Sequence, residues 1–72
     1  METNSIKRDA KVIWKSLTER HQLSQKQLKQ ETKLDDIQIY HASGWLAGEE
    51  KIYIINDDKN EPVYHLNIDF FF

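Results

Sequence analysis

Between Ser5 and Arg20 the apolar residues Ile6, Ala10, Ile13, Trp14 and Leu17 recur at spacings of three and four, with polar residues between them. That is one apolar stripe on an amphipathic helix, predicted over about 5–20 with Asn4 or Ser5 as its cap. Two similar hexads follow, Leu23-Ser24-Gln25-Lys26-Gln27-Leu28 and Leu34-Asp35-Asp36-Ile37-Gln38-Ile39. In each, a Ser or Asp can accept from orphan backbone N–H groups while the Gln three residues on reaches back. The flanking apolar pair staples the start of the helix. Two further helices are thus predicted, at about 24–32 and 35–47, with residues 21–23 and the pair Thr32-Lys33 as turns. In the second, Leu28 is the core candidate and Lys26, Lys29 and Lys33 point outward. In the third, a rotation of 100° per residue groups Ile39, Ala42, Ser43 and Leu46 on the buried side. Ile37, His41, Gly44 and Gly48 fall on the opposite side, with Tyr40 and Trp45 on the flanks. Gly48 is the expected stop.

Beyond Glu50 the pattern changes. Lys51-Ile52-Tyr53-Ile54-Ile55 is rich in β-branched and aromatic residues, and Val63-Tyr64-His65-Leu66-Asn67-Ile68 alternates as a half-buried strand does. The turn formers from Asn56 to Pro62 separate them, so a hairpin with strands at about 51–56 and 62–68 is predicted. Three helices followed by a hairpin give an α+β, mainly α fold, a winged helix-turn-helix with the hairpin as its wing, filling one domain over 1–72. The terminal Phe70, Phe71 and Phe72 are expected to cap its core.

Net charge is -2, but residues 1–33 carry eight Lys or Arg against four acids, whereas residues 34–72 carry two Lys against eight acids. A C-terminal half laid on DNA would be expected to be basic, because phosphate neutralisation supplies most non-specific affinity. Here that half is acidic. The chain has no cysteine, which removes disulfides, thiolate metal sites and a Cys nucleophile and fits a reducing cytoplasm. His21, His41 and His65 fall in different elements without ligand spacing, so no metal, cofactor or small-molecule substrate is inferred. The run Asp57-Asp58-Lys59-Asn60 lacks the alternation and glycine of a calcium loop. Catalysis is not expected. No apolar run approaches a bilayer span, so no membrane partner is expected either.

The stretch Ile39-Tyr40-His41-Ala42-Ser43-Gly44-Trp45-Leu46-Ala47, followed by Lys51-Ile52, and the earlier Val12-Ile13-Trp14, resemble the small bacterial single-domain winged helix-turn-helix proteins of unknown function. The resemblance spans residues 5–68 and implies a fold and a bacterial, cytoplasmic setting, with no established activity. A basic residue often follows the Ala in that family, and Gly48 stands there in this chain.

Two partner classes are therefore expected. As a DNA-binding or transcription-regulator-like module, the chain would meet double-stranded DNA with Gln38, Tyr40 and His41 on base edges, and Lys26, Lys29, Lys33 and Lys59 on phosphates. The lysine row Lys7, Lys11 and Lys15 would add to that basic face or serve only as a solvated one. As a protein-interaction module, forming a homodimer or binding another partner, it would use Ile37, Tyr40, His41, Gly44 and Trp45, a mix of aromatic anchors and a glycine that permits close approach. In the plainest alternative, Tyr40 and Trp45 pack beneath the wing.

Overall fold

The computed structural model describes residues 3–67. Its elements run α1 (Thr3–Arg20), β1 (Gln22–Ser24), α2 (Gln25–Thr32), α3 (Asp36–Gly48), β2 (Ile52–Asn56) and β3 (Pro62–Leu66). This is a winged helix: three helices packed on one face of an antiparallel sheet of order β1-β3-β2. The expected capping by Phe70, Phe71 and Phe72, and the extension of the last strand to Ile68, lie outside the described residues.

Both predicted capping boxes form. Ser24 Oγ accepts from the Gln27 N–H at 3.2 Å and Gln27 Oε1 from the Ser24 N–H at 2.9 Å. Asp35 Oδ1 accepts from the Gln38 N–H at 2.8 Å and Gln38 Oε1 from the Asp35 N–H at 3.0 Å. Four donors that would otherwise face water at helix starts are thereby satisfied locally. Each cap residue is extended, so the chain turns sharply before each helix. Lys33 ends α2 in the left-handed region at φ 63°, with its N–H on Lys29 C=O.

The core joins Ile13 and Leu17 of α1 to Leu28 of α2 and to Ile39, Ala42 and Leu46 of α3. Leu23, Ile52, Tyr64 and Leu66 close it from the sheet. The strand alternation explains why those four lie together. Leu23 pairs with Tyr64 and Ile52 with Leu66, so all four face the helices. Tyr53, Ile55, Val63 and His65 face the other way, and the Tyr53 and His65 rings stack at 5.0 Å.

Residues 21–23, expected to be a turn, instead place Gln22 and Leu23 in strand β1. Three residues are too few to show alternation in the sequence, and the partner that makes them a strand comes from the far end of the chain. His21 enables this with a left-handed backbone at φ 72°. At the end of α3 the helix includes Gly48 and is capped by Glu49. The left-handed residue that redirects the chain is Glu50, at φ 62°, so the glycine is not the turning residue.

Because the two boxes act at separate helix starts, Ser24→Ala and Asp35→Ala are each expected to lower stability by about 1 kcal/mol. Their effects should be close to additive in thermal or urea unfolding. A double variant no less stable than either single one would show that the two starts are not independent.

Candidate nucleic-acid and protein interface

The exposed side of α3 is the surface with which a winged helix meets a major groove. Its exposed residues are Ile37, at 63% exposure, Tyr40, at 73%, and His41 and Gly44. They fall within about one third of the helix circumference. No lysine or arginine occurs anywhere in α3. Tyr40 stands out from the domain, so the alternative in which it packs beneath the wing does not hold. Trp45 does pack, half-buried against the core, and is not an exposed anchor. Gly44 is not needed for close packing within the chain, since a Cβ built there meets nothing within 4 Å.

Gln38, the expected base reader, is committed elsewhere. Its Oε1 closes the capping box, and its Nε2 donates to Asp9 Oδ2 at 3.4 Å. Asp9, buried in α1 at 6% exposure, escaped the sequence reading, although its place four residues before Ile13 puts it beside the apolar stripe. One amide thus satisfies the start of α3 and reaches a buried carboxylate.

A polar chain links the wing to both short helices. The Tyr64 hydroxyl donates to Gln25 Oε1 at 3.3 Å, and Gln25 Nε2 donates to Asp36 Oδ1 at 2.8 Å. Lys29 Nζ pairs with the same Asp36 oxygen at 3.2 Å. The Gln25 hydrogen bond, followed by that to Lys29, holds the Asp36 carboxyl below its ordinary value. Burial is the main influence raising the Tyr64 phenol, with Tyr40 and Asp36 adding to it and a Ser43 hydrogen bond opposing. None of these three partnerships was foreseen, because they join residues far apart in the chain.

The cationic residues do not form one face. Lys26 and Lys29 line a cleft of about 250 Å³ with Gln25, Asp36, Glu61 and Pro62, where acids offset them. Lys7 and Lys11 line a separate hollow of about 120 Å³, floored by Trp14 and Trp45. Lys51 lies 5.3 Å from the Trp14 ring centroid and 5.7 Å from that of Trp45. Lys33 caps α2 with its backbone and is exposed. Lys59 sits at the wing tip, where its N–H bonds to Asp57 Oδ1 at 2.9 Å and where Asp57, Asp58 and Glu61 outnumber it.

Among the described residues no cluster of three or more His, Cys, Asp or Glu could hold a metal ion, and no helix is long and apolar enough to cross a membrane. The fold and its exposed third helix define a winged helix-turn-helix domain. The chain belongs to the winged helix-turn-helix domain family DUF2582, which it matches over residues 1–65. No curated protein matches it.

The two shifted groups predict opposite pH limbs. Asp36 has a lowered pKa, so its contribution is present above its ordinary value of 3.8 and is lost as pH falls through the folded value. The stability difference between the wild type and Asp36→Asn should therefore shrink in acid. Tyr64 has a raised pKa, so its contribution is present below 10.0 and is lost as pH rises through the folded value. Alkaline destabilisation should be reduced in Tyr64→Phe, as read by urea unfolding across pH.

Proposed function

We propose that this winged helix is a protein-interaction module that offers the exposed side of α3 to a protein partner. The observation that carries the reading is the chemistry of that side. Ile37 and Tyr40 are largely exposed there, Gly44 lies between them and His41 beside Ile37, and no lysine or arginine is present. Exposed aromatic and branched side chains around a glycine form the apolar centre of an interface, and the charged cleft beside them forms its rim. Among the described residues Gly44 has no neighbour of its own to accommodate, so its small size suits the close approach of a second surface.

Duplex DNA is the second reading, because winged helices often bind it and because residues 1–33 are net basic. Three features count against it. Gln38 is engaged in its cap, Asp35 and Asp36 open the helix, and the wing tip is acidic. Carboxylates at the groove-facing helix start repel the phosphates that supply most of the affinity. In that reading Lys26, Lys29 and Lys33 would hold the backbone and Tyr40 and His41 would read bases.

A titration of random-sequence duplex DNA at low and higher salt separates the two. The expected result is no salt-sensitive binding. Binding that collapses with salt and is abolished by Lys26→Glu with Lys29→Glu would overturn the proposal. On the protein side, Tyr40→Ala with Ile37→Ser should keep the fold and abolish association with a partner, whereas the lysine reversals leave it intact. Gly44→Ala should stabilise the isolated helix by about 1 kcal/mol and still weaken association, a combination that a purely internal role does not produce.

A further inference from the structure

Among the described residues, strand β2 lies at the edge of the sheet, paired on one side only, with β3. It reads Ile52-Tyr53-Ile54-Ile55-Asn56, with no charge, and Tyr53, Ile54 and Ile55 are 46%, 41% and 53% exposed. Natural edge strands are usually protected by charge, proline, a bulge or a covering loop, because an open apolar edge is a template for another strand. Within Ile52–Asn56 there is neither a charge nor a proline.

The ladder shows which backbone groups face outward. Asn67 N–H donates to Lys51 C=O at 3.0 Å and Asp57 N–H to Glu61 C=O at 2.8 Å, both in the register that pairs Ile52 with Leu66. In an antiparallel pair, alternate residues bond to the same neighbour. The odd-numbered residues of β2 therefore bond to β3, and Ile52, Ile54 and Asn56 direct N–H and C=O to the free edge. Leu66 N–H, which donates to His21 at 2.9 Å, confirms the alternation from the other side of β3.

We infer that β2 pairs antiparallel with β2 of a second copy of this chain, about a two-fold axis at Ile54, to make one sheet continuous through both copies. The strand is complementary to itself in this register. Ile54 meets the partner's Ile54 and Ile52 meets the partner's Asn56, and these are the residues whose backbone groups face outward. Tyr53 meets the partner's Ile55 on the outer face, an aromatic and β-branched cross-strand pair. The three exposed apolar residues are thus covered by the same three of the partner. Shifting the register by two residues leaves exposed apolar residues of each strand without an apolar counterpart: Ile55, opposite Lys51, in one direction, and Tyr53 and Ile54, opposite Asp57 and Asn56, in the other. The inference uses a different surface from the α3 face and stands whether or not that face binds a partner.

The test is the oligomeric state in sedimentation from about 10 µM to about 1 mM, the range suited to a small interface. The wild type should approach twice the chain mass as concentration rises. Ile54→Pro should remain monomeric with an unchanged circular dichroism spectrum, because it deletes an N–H that the β2–β3 ladder does not use and proline is tolerated at such edge positions. Since the chain has no cysteine, register can be read separately. Ile54→Cys should cross-link to itself under mild oxidation, since paired residues there have Cα atoms about 5.5 Å apart. Asn56→Cys should not, because its counterpart lies about 13 Å away along the ladder. Tyr40→Ala should leave the dimer intact. A wild type that stays monomeric throughout, a dimer that survives Ile54→Pro, or cross-linking as fast at Asn56→Cys as at Ile54→Cys would each overturn the inference. If Ile54→Pro disturbs the fold, the two cysteine variants decide. A dimer lost in Tyr40→Ala but kept in Ile54→Pro would place self-association on α3 instead.

Discussion

The pairing of Leu23 with Tyr64 is the contact on which the remaining arrangement depends. Leu23 sits between two helices that each bury one stripe, and Tyr64 sits in the central strand of the sheet. Their pairing closes the sheet onto the helices and gives Leu17, Leu28 and Ile39 a common floor. In a domain of this size, no single helix pair buries enough apolar surface to be stable alone, so the wing completes the core as well as forming a projection. The bond from Leu66 N–H to His21 C=O extends the same junction to the end of α1.

From that junction the polar chain through Tyr64, Gln25, Asp36 and Lys29 follows. Once β3 lies beside α2, the Tyr64 hydroxyl reaches Gln25, and Gln25 reaches the first residue of α3. The start of α3 is therefore held by its own capping box, by Gln25 and, through Gln38, by Asp9. A third helix anchored this way holds its outer face in a fixed orientation. The groups that would contact a nucleic acid at that end are spent on holding it. What remains outward is Ile37, Tyr40, His41 and Gly44, without a lysine or arginine, and this connects the way the fold is built to the proposed protein contact.

The legible parts of the chain were those whose partners lie within a few residues. Both capping boxes, the stripe on α1, the burial of Ile39, Ala42, Ser43 and Leu46, and the exposed set Ile37, His41 and Gly44 all follow from helical spacing. The hairpin followed from β-branched runs around a cluster of turn formers. The candidate site was legible only as a choice, because Tyr40 and Trp45 are both aromatic flanks of one helix. Periodicity gives the angle of each around the helix but not the depth of the neighbouring surface. Tyr40 projects and Trp45 packs because α1 supplies Trp14, and Lys51 lies just before β2, on the Trp45 flank alone.

Spacing and local hydrogen bonding along the chain determined where helices start, which stripe they bury and that a hairpin follows. Tertiary structure alone decided that Gln22–Ser24 is a strand, that Asp9 is buried against Gln38, that Lys7 and Lys11 line one cleft and Lys26 and Lys29 another, and that, among the described residues, β2 is left as an open apolar edge. The physical reason is range. A cap or a stripe is set within one or two turns of backbone, whereas a strand, a buried carboxylate or a charged face exists only once distant segments have met.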